Sequence, residues 1–186
     1  MKTVVFITGT NCSGKTSLAR ALIERFGGVA REEEPEEGVV YSVMKDRRGC
    51  FAGRYAGVKF GGVDWLNGTK MLPRLAEYAL KEHDVLVCEG VYLNTFGPNL
   101  TSTMFQGDNR AIYFLYAPAE TLNRRLIQRG GHPLTETIIR KQRQSLRAAK
   151  NFAQTGCLLY CFDTSAAATE EIAEHAYQYI IGKCGR

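Results

Sequence analysis

No apolar run in this 186-residue chain approaches the ~18 residues of a membrane-spanning helix, so a membrane partner is not expected. Its six cysteines include no C-x-x-C pair, and His83, His132 and His175 show no ligand spacing, which argues against zinc. Nor do the cysteines form a disulfide framework. Cys88, Cys157 and Cys161 lie in apolar, strand-like runs, Cys12 lies in a glycine-rich loop, and Cys50 and Cys184 stand alone. A reducing, cytoplasmic compartment is the expectation. Met1-Lys2 leads directly into an apolar stretch, an N-terminus expected to carry no secretory signal. Repeats, low-complexity tracts and linkers are absent too. With 45% apolar and 23% charged residues, residues 1–186 are therefore expected to form one globular domain with a sizeable core.

The net charge of +5 is modest, but its distribution is uneven. Acid is concentrated in Glu32-Glu33-Glu34-Pro35-Glu36-Glu37, and base in 45–59 and again in 124–150. Such separation suits a phosphate-bearing partner, although solvated faces carry similar clusters.

Gly9-Thr10-Asn11-Cys12-Ser13-Gly14-Lys15-Thr16 fits G-x-x-x-x-G-K-[ST], the pattern of a phosphate-binding loop. Before it runs Thr3-Val4-Val5-Phe6-Ile7-Thr8, apolar and β-branched, which reads as a buried strand. After it, Leu18, Leu22 and Phe26 recur at helical spacing until Gly27-Gly28 supplies a stop. In that context the backbone N–H groups from Gly9 through Asn11, Cys12, Ser13 and Gly14 to Ser17 would cradle phosphate at a helix N-terminus. Lys15 would reach the β- and γ-phosphates of ATP, and the Thr16 hydroxyl would ligate Mg²⁺.

The remainder alternates. Residues 39–44 read as a short strand, 69–82 as a helix, 84–90 as a buried strand and 91–109 as a long loop. A strand over 110–116, a helix from Pro118 to about Arg129, a basic helix over 135–152, a strand over 157–163 and a helix over 169–181 complete the chain. Strands alternating with helices predict an α/β sandwich of three layers around a central parallel sheet. Ligands on such sheets sit at the carboxyl ends of strands, where the phosphate loop, Glu89 and Asp163 all fall.

Glu89 ends an apolar strand and would stand beside the loop. A carboxylate there can hold a metal through water or take a proton from an acceptor; a strand-end salt bridge to a lysine is the plain alternative. Arg125 and Arg129 lie four residues apart on one helical face, followed by Gly130-Gly131 and then Arg140, Lys141, Arg143 and Arg147. A helical lid over about 124–150, closing positive groups on a transferring phosphate, is the corresponding expectation.

Four features together resemble the P-loop kinases of the nucleotide-kinase group: Gly9 to Thr16, the Glu89-Gly90 strand end, Ala117-Pro118-Ala119-Glu120, and Phe162-Asp163-Thr164-Ser165. That group includes nucleoside monophosphate, shikimate and gluconate kinases and the kinase parts of polynucleotide kinases. The resemblance implies a P-loop NTPase fold, ATP and Mg²⁺, phosphate contacts from Gly9, Ser13, Gly14, Lys15 and Thr16, and metal contacts from Thr16 and Glu89. It further implies Arg125 against the adenine, Arg129 reaching the phosphates, and the segment after Ser165 edging the base. Glu89 stands where many relatives have aspartate. An Asn/Thr-Lys-x-Asp base-reading motif is missing, which disfavours a GTPase.

The acceptor is expected at residues 45–68, where Arg47, Arg48, Arg54 and Lys59 interleave with Phe51, Tyr55, Phe60 and Trp65. Rings beside cations suit a stacked base next to a phosphate. Asp64 is the acid of that segment, placed to accept a hydroxyl proton or to cap a turn. A nucleotide-like acceptor follows, extending to DNA, since relatives in phages phosphorylate hydroxymethylated pyrimidines, of the 5-hydroxymethyluracil type, within DNA. A small metabolite or a nucleoside monophosphate is the competing acceptor. A nucleotide-binding regulatory module is the competing class without catalysis.

Overall fold

The computed structural model describes every residue except 47, 59–60, 67, 96–107, 134 and 185–186. Seven strands, β1 (Thr3–Gly9), β2 (Val29–Glu36), β3 (Val39–Met44), β4 (Gly49–Ala52), β5 (Val85–Glu89), β6 (Asn109–Tyr116) and β7 (Leu158–Asp163), form one sheet in the order β2-β3-β4-β5-β1-β6-β7. From β4 to β7 the pairing is parallel, and β2 and β3 extend it as an antiparallel hairpin. The helices are α1 (Lys15–Arg25), α2 (Leu72–Glu82), α3 (Ala119–Gln128), α4 (Thr135–Ala153) and α5 (Thr169–Cys184).

Side chains alternate across the sheet, as strand geometry requires. Val5 and Ile7 pack with Leu18, Leu22, Ile172 and Ala176 of α1 and α5. Val4 and Phe6 face the other way, toward Leu72, Leu75, Ala149 and Phe152 of α2 and α4. This is the expected three-layer P-loop NTPase architecture. Because β1 lies between β5 and β6, the chain reverses direction across the sheet at its loop, which is where ligands bind in such sheets.

Two strands depart from the sequence expectation. The acidic run becomes edge strand β2, and Gly49–Ala52, expected as part of a loop, becomes the buried strand β4. A strand of glutamates carries no apolar pattern. It is held by Tyr41 OH on Glu33 (2.6 Å), Arg54 on Glu32 and Glu34 (2.8 and 2.7 Å), and Arg74 on Glu36 (2.7 Å). Pro35 is tolerated there because an edge strand has one unpaired side.

Only part of the expected lid stands clear of the core. Ala149 is fully buried, and Phe152 meets Phe6 edge-to-face with ring centroids 5.5 Å apart. The second half of α4 is thus anchored, so a lid extending to residue 150 is corrected to α3, residues 129–133 and the first turns of α4.

Candidate active site

The phosphate loop is shaped by close approach. Gly9 has φ +140°, and a side chain there would run into the Leu115 carbonyl of the neighbouring strand β6. Gly14 precedes α1 and supplies no side-chain cap, leaving the helix's first N–H groups available to an anion. Within the loop, Lys15 is nearly buried and its Nζ donates to the Thr10 carbonyl at 2.9 Å. Burial lowers its pKa, and the charges of Glu89 and Asp64 oppose that. The hydroxyls of Thr10 and Ser13 are buried without a hydrogen-bond partner among the described residues. Such orphans are costly, about 1–3 kcal/mol each, and a bound phosphate would satisfy them. The loop therefore fits the triphosphate its motif implies.

Glu89 pairs in register with Ile7, which sets it beside the loop as expected. It is 2% exposed. Thr16 Oγ1 donates to Oε1 and Tyr55 OH donates to Oε2, each at 3.2 Å. Burial pushes its pKa up to about 7, against the opposing charge of Lys15 and the Thr16 hydrogen bond. Gly62, at φ +93°, lies so close that a Cβ would meet Glu89 Oε2 at 2.5 Å. The segment after β4 is thus folded directly onto this carboxylate.

Asp64 lies in a 3₁₀ turn, Val63–Trp65, at the same place: a Cβ on Gly90 would sit 3.0 Å from its Oδ1. It is exposed, and its charge is felt by both Lys15 and Glu89. Asp64, Glu89, Lys15 and Thr16 are therefore brought together from three separate parts of the chain.

The rest of the 45–68 segment is engaged by the fold. Phe51 is fully buried against Phe26 and Tyr55, Tyr55 is 4% exposed, and Arg54 is held by Glu32 and Glu34. Rings inside a core offer no face to a base, and a cation between two carboxylates is not open to phosphate. Trp65 is 47% exposed, and Arg48 is exposed as well. Arg47, Lys59 and Phe60 lie outside the described residues.

Arg125 joins the phosphate loop to the turn after β7. Its Nη1 donates to the Cys12 carbonyl (3.2 Å) and to Thr164 Oγ1 (2.9 Å), and its Nη2 donates to the Thr164 carbonyl (2.7 Å). Arg129 follows α3 directly, is exposed, and its charge reaches Lys15. Asn11 lines a cavity of about 420 Å³ beside the loop, roofed by Leu126 and Ile138. Ser17 lies in the first turn of α1 and is exposed.

Sequence reasoning missed Tyr55 as a partner of Glu89, and missed Asn94 altogether. Asn94 Oδ1 accepts from Thr8 Oγ1 (2.6 Å) and from the Gly9 N–H (3.2 Å), binding the turn after β5 to the mouth of the loop. Its position five residues beyond Glu89 is the one sequence signal that could have marked it. Among the described residues no helix is long and apolar enough to cross a membrane, and no cluster of three His, Cys, Asp or Glu side chains forms a metal cage.

With this geometry in place, the comparisons with known proteins can be set beside it. Residues 5–146 match the AAA domain family. No curated protein matches the chain. Among solved structures, the chain is similar to the YorR protein of Bacillus subtilis in complex with phosphorylated GDP, at TM-score 0.60 and 16% identity over 98% of both chains. It is similar to a tunicamycin resistance protein of Deinococcus radiodurans at TM-score 0.52 and 16% identity, covering 98% of this chain and 96% of the other. A sugar kinase of Janibacter sp. HTCC2649 gives TM-score 0.50 and 16% identity over 97% and 94%. At these identities the likeness is one of fold. The expected resemblance to P-loop kinases is met in family and fold.

Proposed function

We propose that this chain, which belongs to the AAA domain family, is an ATP- and Mg²⁺-dependent kinase acting on a hydroxyl of a nucleotide-like acceptor. The observation that carries this is the convergence of Lys15, Thr16, Glu89 and Asp64 at the carboxyl ends of β1 and β5. A phosphotransferase needs a cationic phosphate cradle and an acid beside it, and both stand here with one carboxylate buried and the other open to solvent.

In the transfer, the acceptor oxygen attacks the γ-phosphorus of ATP, the bond from that phosphorus to the bridging oxygen breaks, and ADP departs with the electron pair. Lys15 stabilises charge on the transferring group. Thr16 and Glu89 would hold Mg²⁺, which supplies further neutralisation of phosphate charge when bound. Asp64, exposed beside Gly90, takes the acceptor's proton. Arg125 positions the loop through Cys12 and offers its guanidinium face to adenine, while Arg129 reaches toward the phosphates from the lid. Gly9, Asn11, Cys12, Ser13, Gly14 and Ser17 complete the nucleotide site.

A hydroxymethylated base within DNA is the extended form of this reading, as in a phage DNA-modification enzyme. It is supported by the row of Arg140, Arg143 and Arg147 along α4, which borders a shallow depression. Against it, Phe51 and Arg54 are engaged by the fold. Binding to single- and double-stranded DNA at low and moderate salt separates the two: a polynucleotide acceptor requires affinity that falls steeply with salt. No binding at low salt returns the acceptor to a mononucleotide or a small metabolite.

The deciding experiment for the activity is ADP release from ATP with and without candidate acceptors. Acceptor-stimulated turnover supports a kinase; ATP binding with no stimulation by nucleosides, nucleotides, modified DNA or sugars supports a regulatory module.

A further inference from the structure

We infer that the phosphoryl acceptor occupies the cavity of about 420 Å³ between the phosphate loop and the first half of α4, and that it is a single-ring, hydroxylated molecule carrying an anionic group. This deepens the kinase reading and rests on it.

Two buried hydroxyls line the cavity without a partner among the described residues: Thr10, 4% exposed, from the loop, and Ser145, 2% exposed, from α4. A buried hydroxyl left unpaired is destabilising, so two such groups on one cavity point to polar atoms of an occupant. Asn94 adds a donor. Its Oδ1 already accepts from Thr8 and Gly9, so the amide orientation is set and Nδ2 is the end left for the cavity it lines.

Lys141 is the one charged side chain among the described lining residues. It shares a helical face with Ile138 and Ser145, at spacings of three and four. A carboxylate or phosphate on the ligand therefore meets a cation and no opposing carboxylate. The described lining also holds no aromatic ring; its apolar part is aliphatic, from Val91, Leu126 and Ile138. A stacked base is not what these walls select. An anionic sugar or hydroxylated carbocycle is, and the volume lies within the range of small-ligand pockets. Because Thr10 and Asn11 belong both to the cavity wall and to the phosphate loop, a hydroxyl of the occupant borders the transferring phosphate.

The test is calorimetric binding to the full chain loaded with Mg²⁺ and a non-hydrolysable ATP analogue. The probes are two pairs differing in charge, gluconate against glucose and thymidine 5′-monophosphate against thymidine. In at least one pair the anionic member should bind about tenfold or more tightly, as a charged hydrogen bond allows. Lys141→Met should abolish that preference and Ser145→Val should weaken both members, with affinity for the ATP analogue within about twofold of wild type as the control for folding. The pair that responds identifies the source of the anion, a sugar acid or a mononucleotide. If no probe binds the nucleotide-loaded protein, or if the anionic preference survives Lys141→Met, the inference is overturned while the kinase reading stands. If the wild type fails to bind the ATP analogue at all, both are overturned.

Discussion

Thr16 and Glu89, 73 residues apart, are joined by a 3.2 Å hydrogen bond from the threonine hydroxyl to the carboxylate. The first turn of α1 and the end of β5 thereby become one polar unit next to Lys15. A hydroxyl that ligates metal and a carboxylate that supports it must lie this close, and the parallel pairing of β1 with β5 places them so.

Lys15→Ala should lower turnover by about 10²–10³, the usual effect of removing one electrostatic contact to a transition state. Its cation sits on the loop's own Thr10 carbonyl and makes no apolar packing, so the melting temperature should change little. Steady-state rates and a thermal melt on the same preparation check this. Near-normal turnover in the folded variant would sink the kinase reading.

Glu89 makes stability depend on pH. Its pKa rises from 4.5 to about 7 on folding, because burial disfavours the charged form. The folded state thus holds a proton that the unfolded state has released between those values, and stability should fall as pH rises through that window. Glu89→Gln should flatten the slope. Chemical denaturation from pH 5 to pH 8, without nucleotide or metal, measures it; equal slopes in wild type and variant would contradict the assignment.

Arg125→Ala should weaken ATP binding more than it weakens the fold. The guanidinium makes three hydrogen bonds to Cys12 and Thr164, and charged hydrogen bonds contribute about 1.5–3 kcal/mol each at most. A rise in KM for ATP of about tenfold or more is expected. Arg125→Lys should rescue little, since an ammonium lacks the planar fork. As a companion readout, protease cleavage near Gly130-Gly131 should slow when an ATP analogue is bound; unchanged cleavage would mark α3 as an ordinary surface helix.

Asn94→Ala should cost about 1–3 kcal/mol of stability, because the Thr8 hydroxyl and the Gly9 N–H both lose their acceptor. Asn94→Asp retains an acceptor for both and should recover most of that loss. Urea denaturation of the two variants distinguishes this role from a general packing defect, for which aspartate would be no better than alanine.

The phosphate loop, its flanking strand and helix, the parallel core strands and the place of Glu89 were legible in the sequence because each has a local signal. A glycine pattern, an apolar run and a helical period act through near neighbours and survive without knowledge of the partners. The acidic strand β2 has no such signal: Glu32 and Glu34 become a strand because β3 offers an edge and Arg54 lies opposite. The same ion pairs remove Arg54 from the acceptor role its neighbours suggested, and burial removes Phe51. Tyr55 on Glu89, Asn94 on Gly9 and Ser145 across from Thr10 are likewise relationships between segments 34 to 135 residues apart. Their energies come from burial and from hydrogen bonds that exist only once the sheet has assembled, so only tertiary structure could decide them.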